Sequence, residues 1–162
     1  MFDFSPDPAA AKPEIWRELC AAAQALVAGE PDGVANMANV AALIWQFLPD
    51  LNWAGFYRVM GDELVLGPFI GKPACIRIPA GRGVCGAAAA SGQIQLVPDV
   101  HAFAGHIACD AASASELVAP VVVDGHVVAV IDLDSPVKAR FDADDVAGIA
   151  TLAGVMAKAF AG

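Results

Sequence analysis

The chain has 162 residues, the usual size of one domain, and 57% of them are hydrophobic against 17% charged. This composition excludes a disordered or fibrous protein, and we expect a single domain over residues 1–162, with residues 1–11 as a flexible N-terminal segment. The formal net charge of −9 disfavours a nucleic-acid partner, because only nine Lys and Arg residues are present and they are scattered along the chain.

Two helices open the predicted fold. Apolar residues recur at helical spacing from Pro13, which suits a first helical turn, until Gly29, and again over residues 34–48, where Pro49 ends the run. Cys20 lies on or beside the apolar stripe of the first helix. We therefore interpret it as a small buried hydrophobic residue without a role in chemistry.

From residue 52 the pattern changes to short runs rich in β-branched and aromatic residues. Six strands are predicted, over residues 53–60, 63–66, 74–78, 94–97, 117–123 and 127–133. The pair Asp124-Gly125 between the last two favours a tight type I′ hairpin, because both turn positions need positive φ. A short alanine-rich helix after Gly86 and a final helix over residues 143–160 complete the order.

This order predicts an α+β fold, in which a mainly antiparallel sheet is flanked by N- and C-terminal helices. Residues 98–115 lack apolar periodicity and form a connection too long for an ordinary turn. The segment contains His101, His106 and Cys109, and we expect it to be an ordered lid over an active site.

The sequence shows no targeting or membrane segment. Its first residues lack the basic flank and apolar centre of a secretory signal, and no stretch reaches the roughly 18 apolar residues that cross a bilayer. We therefore expect a cytoplasmic protein with no membrane partner. In that reducing compartment the four cysteines, Cys20, Cys75, Cys85 and Cys109, should rest as thiols.

Residues 81–86 match the G-x-G-x-x-G pattern of dinucleotide sites. We disfavour a dinucleotide because the following helix has room for about two turns and no regular βαβ unit surrounds the match. Glycines at a helix N-terminus still present backbone N–H groups, which suit a small anion such as an amino-acid carboxylate.

Besides Cys20, the sequence contains six histidine and cysteine residues of the type that binds zinc, but their spacing along the chain does not match that of structural zinc sites. They are His101, His106, His126, Cys75, Cys85 and Cys109. No two cysteines form a close C-x-x-C pair, so we predict no metal site.

Acidic residues cluster near the end of the strand region. Asp132 and Asp134 alternate on the last predicted strand and therefore share one face, and Glu116 opens the strand before it. A solvated face is the simplest explanation. However, apolar neighbours surround the two aspartates, so at least one carboxyl group should be partly buried with a raised pKa. A neutral carboxylic acid could donate a proton to a substrate oxygen.

Seven stretches carry one specific resemblance. They are residues 52–57 (NWAGFY), 66–69 (LGPF), 72–75 (KPAC), 83–86 (GVCG), 98–101 (PDVH), 105–110 (GHIACD) and 132–135 (DLDS). Together they resemble the free methionine-R-sulfoxide reductases, a family built on a GAF domain. The resemblance runs from about Trp53 to Phe141 and in weaker form over both ends.

The resemblance implies a GAF-like, six-stranded antiparallel sheet and the reduction of free L-methionine-(R)-sulfoxide, with thioredoxin as reductant, no bound cofactor and a possible homodimer. It also implies the site residues. Cys109 matches the attacking cysteine, Cys75 and Cys85 the other redox cysteines, Trp53 and Tyr57 the aromatic wall of the pocket, and Glu116, Asp132 and Asp134 its acidic residues.

Sulfoxide reduction needs a thiolate and an acid on opposite sides of the substrate. Attack by Cys109 would leave a sulfenic acid, which Cys75 or Cys85 could condense into a disulfide. Glu116 or Asp134 could act as the acid, with Asp132 or its neighbours holding the substrate ammonium. The sequence leaves both choices open.

A stand-alone GAF sensor that binds a small ligand without catalysis is the main alternative. We disfavour it because the sequence shows no output domain and because three cysteines around one loop serve no purpose in a nucleotide sensor. A purely structural protein would leave the long connection over residues 98–115 unexplained.

Overall fold

The computed structural model of the protein describes residues 4–107 and 110–161. Within these residues the elements are α1 (Lys12–Val27), α2 (Gly33–Phe47), β1 (Trp53–Met60), β2 (Glu63–Gly71), β3 (Arg77–Pro79), α3 (Gly83–Ser91), β4 (Gln95–Val97), β5 (Ser115–Val123), β6 (His126–Ser135) and α4 (Ala143–Ala161), with a 3-10 turn at Val100–Ala102. None of the helices in the described part of the chain combines the length and the apolarity that a membrane span requires.

All strands belong to one six-stranded sheet in the order β3-β2-β1-β6-β5-β4. Every neighbouring pair is antiparallel, which confirms the predicted α+β class and sheet type. The register aligns three residues across the central strands, because Trp53 of β1 lies opposite Asp134 of β6, and Asp134 lies opposite Glu116 of β5. We call these three residues the Trp53 row.

The two faces of the sheet carry separate apolar cores. Because side chains alternate across a strand, Ala54 and Phe56 pack with the core under α1, α2 and α4, whereas Trp53 and Tyr57 pack with the core under α3. The Trp53 row therefore faces α3 and the loops beside it, on the opposite side of the sheet from the three long helices.

The structure corrects two predicted strand boundaries. β2 does not end at residue 66 but continues to Gly71, through Pro68. A proline is tolerated there because β3 pairs with residues 63–65 of β2 and the last bond on that side runs from Leu66 to the Ile76 carbonyl, so Pro68 lies beyond the paired part of this edge. The strand predicted over residues 74–78 shrinks to Arg77–Pro79. The type I′ hairpin is confirmed, with φ of 50° at Asp124 and 78° at Gly125.

A buried carboxylate joins α1 to the start of α4. The side chain of Asp145 is completely buried and accepts hydrogen bonds from Lys12 Nζ at 2.7 Å, Trp16 Nε1 at 2.9 Å and Arg140 at 3.3 Å. Arg140 also donates to the backbone carbonyl of Pro49 at 3.0 Å, which ties the end of α2 to the same group. One side chain therefore connects three helices on the face opposite the Trp53 row.

Asp145→Ala is expected to lower the free energy of unfolding by about 3 kcal/mol, because it leaves the buried indole N–H of Trp16 without its acceptor and removes the carboxylate that faces Lys12 and Arg140. Urea denaturation measures this loss. Asp144→Ala is the matched control, since Asp144 is exposed in the same helical turn and its removal should cost less than about 1 kcal/mol. Equal losses in the two variants would contradict the role assigned to Asp145.

Candidate active site

A pocket opens on the α3 face of the sheet, with the Trp53 row as its floor. The space between its walls is about 510 Å³, much of which is open to solvent. The walls come from the loop between β2 and β3, the first turn of α3 and the segment that precedes β5, and they include Lys72, Cys85, His106 and Asp110.

The three predicted acidic residues meet in this pocket. Glu116 and Asp132 are buried and Asp134 is half-buried, and all three line the cavity. Burial is the main cause of raised pKa values, which lie well above the ordinary range for Glu116 and Asp134 and at about 6 for Asp132. The three carboxyl groups therefore hold protons to a higher pH than exposed carboxyl groups do, and the pocket is suited to combine a carboxylic acid with a carboxylate.

Glu116→Gln is expected to raise thermal stability by an amount that grows with pH. The folded protein holds the Glu116 proton to a higher pH than the unfolded chain, so this group stabilises the fold least at alkaline pH. Stability is lost as pH rises from the ordinary Glu pKa of 4.5 through the raised value in the fold. Glutamine has no proton to lose.

Melting curves at about pH 4 and about pH 8.5 measure this effect. The two proteins should melt at similar temperatures in acid, and the variant should melt a few degrees higher in alkali. A constant difference at both pH values would show that Glu116 does not hold its proton in the fold.

The predicted aromatic wall is present. The ring of Trp53 stacks on Tyr57 with 5.8 Å between centroids and on Phe69 with 5.2 Å. The Tyr57 hydroxyl donates a hydrogen bond to the backbone carbonyl of Cys75 at 2.9 Å, and Trp53 Nε1 has no hydrogen-bond partner within the described part of the chain. Phe69 was not among the predicted site residues, although Phe69 belongs to one of the stretches that carry the family resemblance.

The cysteines occupy different environments. Cys85 lies in the first turn of α3 and lines the pocket, where burial and then the nearby Asp132 and Glu116 raise the pKa of its thiol. Cys75 is half-buried on the loop before β3, at the edge of the same apolar core. Cys109 lies outside the described residues. Its chain neighbours Ile107 and Asp110 line the pocket.

Cys20 is remote from this pocket. It is buried between α1 and α4, where its thiol donates to the carbonyl of Gly148 at 3.7 Å. Burial raises the pKa of this thiol to about 11. The interpretation of Cys20 as a buried core residue is confirmed.

Polar contacts fix the chain on the C-terminal side of Cys109. Asn52 Nδ2 donates to the Asp110 carboxylate at 3.1 Å and to Ser113 Oγ at 3.0 Å, and Lys72 Nζ lies 3.4 Å from the other Asp110 oxygen. Ser113 in turn hydrogen-bonds Asp134, which opposes the effect of burial on the pKa of Asp134. Ser113 was not among the predicted site residues, because a single serine in a loop carries no sequence signal of its own.

The glycine-rich match packs α3 closely against β3. Gly83 begins the helix with φ of +62°, a conformation that favours glycine, and a Cβ on Gly86 would lie 2.9 Å from the carbonyl of Pro79. The helix that follows has nine residues. These glycines therefore serve chain geometry and bring the first turn of α3, with Cys85, to the pocket.

Among the described residues considered for zinc, only Cys85 and His106 line the pocket. His126 lies at the β5–β6 turn, where its Nδ1 is 3.0 Å from the carbonyl of Asp124, and His101 is exposed. His106 does line the pocket, with Nε2 3.8 Å from Glu116 Oε2, and burial lowers its pKa. A different set is close enough to share an ion, since ligand atoms of Cys85, Glu116 and Asp132 lie within 4.8 Å of one another.

Comparison with known proteins gives a consistent assignment. The family profile of the GAF domain matches residues 17–160. Free methionine-R-sulfoxide reductase of Escherichia coli (strain K12) is 51% identical over 150 residues, which cover 93% of this chain and 91% of that protein. The protein of the same name from Saccharomyces cerevisiae is 44% identical over 131 residues, covering 76% of this chain and 73% of that protein.

A solved structure extends this agreement to three dimensions. The X-ray structure of free methionine-R-sulfoxide reductase from Neisseria meningitidis in complex with its substrate matches with a TM-score of 0.95 and 43% identity, over 99% of this chain and 96% of that chain. With identity at this level and coverage of nearly the whole chain, the protein belongs to the free methionine-R-sulfoxide reductase family of GAF domains and is an oxidoreductase.

Proposed function

We propose that the protein reduces free L-methionine-(R)-sulfoxide to L-methionine, through a sulfenic acid on Cys109 and an intramolecular disulfide that thioredoxin reduces. The observation that carries this proposal is the convergence of three carboxyl groups, those of Glu116, Asp132 and Asp134, in one pocket where burial raises their pKa values. Such a site can bind a cation and donate a proton at the same time.

The pocket suits an amino acid in its free form. The carboxylate of Asp132 would pair with the substrate ammonium, and the Trp53 ring would pack against the methyl and methylene groups. The first turn of α3 lines the pocket through Gly83, Val84 and Cys85, and the N-terminus of this helix would favour the substrate carboxylate. A peptide-bonded methionine sulfoxide lacks both charges, so we expect negligible turnover of an oxidised peptide.

The chemical step begins with the Cys109 thiolate. Its sulfur attacks the sulfoxide sulfur and forms a transient S–S bond while Glu116 or Asp134 protonates the sulfoxide oxygen. The oxygen then passes to the Cys109 sulfur as both the S–O bond of the substrate and the transient S–S bond break. The substrate gains two electrons and leaves as methionine, and Cys109 becomes a sulfenic acid. A second thiol then attacks the Cys109 sulfur, water leaves, and a disulfide forms.

We assign the second thiol to Cys75. Cys85 is buried and its thiol pKa is raised, so little of the nucleophilic thiolate is present, whereas Cys75 lies half-buried on a loop at the edge of the pocket. Tyr57 holds this loop through the Cys75 carbonyl. This contact holds Cys75 beside the aromatic wall, next to Ala74, which lines the pocket.

Cys75→Ser is therefore expected to reduce methionine sulfoxide once and then stop with a sulfenic acid on Cys109, whereas Cys85→Ser should continue to turn over. Trapping with a dimedone-type reagent followed by mass spectrometry detects the sulfenic acid. The opposite result, accumulation in Cys85→Ser alone, would assign resolution to Cys85.

The test of the proposed function is NADPH oxidation in the presence of thioredoxin and thioredoxin reductase. Free L-methionine-(R)-sulfoxide, its (S) epimer and an oxidised peptide are supplied separately. Consumption with the free R epimer alone supports the proposal. No consumption with any substrate would favour the alternative of a ligand-binding GAF sensor.

A further inference from the structure

We propose that Cys85, Glu116 and Asp132 form a binding site for a thiophilic divalent cation of the Zn²⁺ type, and that the bound ion inhibits the enzyme by occupying the pocket. Inhibition rests on the proposed function, because it requires that substrate use the same pocket. Binding of the ion does not rest on it and is measured separately.

The three side chains converge from three different elements. Cys85 comes from the first turn of α3, Glu116 from β5 and Asp132 from β6, and all three are buried. Their ligand atoms lie within 4.8 Å of one another, a separation that one ion can bridge. Because the strands and the helix belong to the packed core, the ligands are held in place before any ion arrives.

One oxygen of the Asp132 carboxylate is available to an ion. Asp132 is only 6% exposed and lines the pocket, and its side chain interacts with Cys85 and Glu116, yet its Oδ1 has no hydrogen-bond partner among the residues that the structure describes. A buried carboxylate oxygen without a partner is costly, and a positive charge placed against it removes that cost.

The chemical character of the three side chains suits a divalent ion. A thiol and two carboxyl groups bind a metal in their deprotonated forms, so a Zn²⁺ ion would be bound by one thiolate and two carboxylates, and any protons that these groups hold would pass to solvent.

The donor set selects the metal. A thiolate is a soft ligand that favours Zn²⁺ over Mg²⁺ or Ca²⁺, and three protein ligands with a water in the fourth position are a familiar zinc arrangement. The spacing of cysteines and histidines could not reveal this set, because two of its members are carboxylates on adjacent strands. The ion would cover Asp132 and block oxidation of the Cys85 thiol.

The experiment titrates ZnCl₂, and separately MgCl₂, into the reduced full-length protein and follows heat in two buffers of different ionisation enthalpy. One Zn²⁺ per chain with release of protons is expected, and no binding of Mg²⁺. Co²⁺ is the spectroscopic probe, since a thiolate-to-cobalt charge-transfer band in the near ultraviolet reports a sulfur ligand.

The variants Cys85→Ser and Asp132→Asn should each weaken Zn²⁺ binding by at least about tenfold, and the first should abolish the cobalt band. Cys75→Ser and Cys20→Ser are the matched cysteine controls and should bind as the unchanged protein does. Binding that survives Cys85→Ser, that depends on Cys75 or Cys109 instead, or that is absent from the unchanged protein would overturn the proposal.

Discussion

Cys109→Ser should abolish the reduction of free methionine sulfoxide, with a loss of at least about 10³-fold in kcat, whereas Cys20→Ser should leave turnover unchanged. A serine hydroxyl is a far weaker nucleophile than a thiolate, and the buried Cys85, whose thiol pKa is raised, is a poor substitute. The measurement is thioredoxin-coupled NADPH oxidation at saturating substrate.

Cys109→Ser and Cys20→Ser both replace a thiol sulfur with a hydroxyl oxygen, at two different positions in the chain. Cys20 is buried between α1 and α4, so its replacement tests for loss of activity through loss of stability alone. A folded Cys20→Ser protein without activity, or a Cys109→Ser protein with near-normal turnover, would contradict the assignment of the nucleophile. Circular dichroism and melting curves establish that both variants are folded.

Asp132→Asn should lower kcat/KM by at least about 30-fold, mainly through KM, because it removes the carboxylate that pairs with the substrate ammonium.

Glu116→Gln and Asp134→Asn should affect kcat more than KM. They remove proton donors, so each should lower kcat with a smaller change in KM, by up to about 10²-fold or more for the residue that protonates the sulfoxide oxygen.

The pH profile separates these roles. Substrate binding should weaken as pH falls below about 6, where Asp132 becomes protonated, and the catalytic rate should fall in alkali as the neutral acids ionise. Asp132→Asn should lose the acid limb and keep the alkaline one. An acid limb that persists in Asp132→Asn would show that another group binds the ammonium.

Periodicity and turn chemistry were sufficient to predict most of the fold. Strand β1 begins and ends where the alternation placed it, at Trp53 and Met60, because its flanking turns carry clear signals. The same reasoning ended β2 five residues early, since Gly67 and Pro68 normally end a strand. Only the three-dimensional pairing shows that Pro68 lies beyond the reach of β3.

The site was predicted in part by residue pattern and in part by resemblance. Alternation placed Asp132 and Asp134 on one face, and the structure confirms that both line the pocket. The contacts of Asn52 with Asp110 and Ser113 could not be predicted, because they join residues about 60 positions apart through side chains that occur in any loop. The cytoplasmic location and the homodimer stay predictions.

Because Trp53, Asp134 and Glu116 align across three strands, the pocket depends on the register of β6. Side chains alternate between faces, so a shift of β6 by one residue against its neighbours would turn both aspartates into the apolar core beneath the long helices. The pocket therefore forms only when β6 pairs with its neighbours in the correct register. A single-residue insertion in β6 should cost the protein its stability together with its activity, whereas lengthening the Asp124-Gly125 turn should spare both.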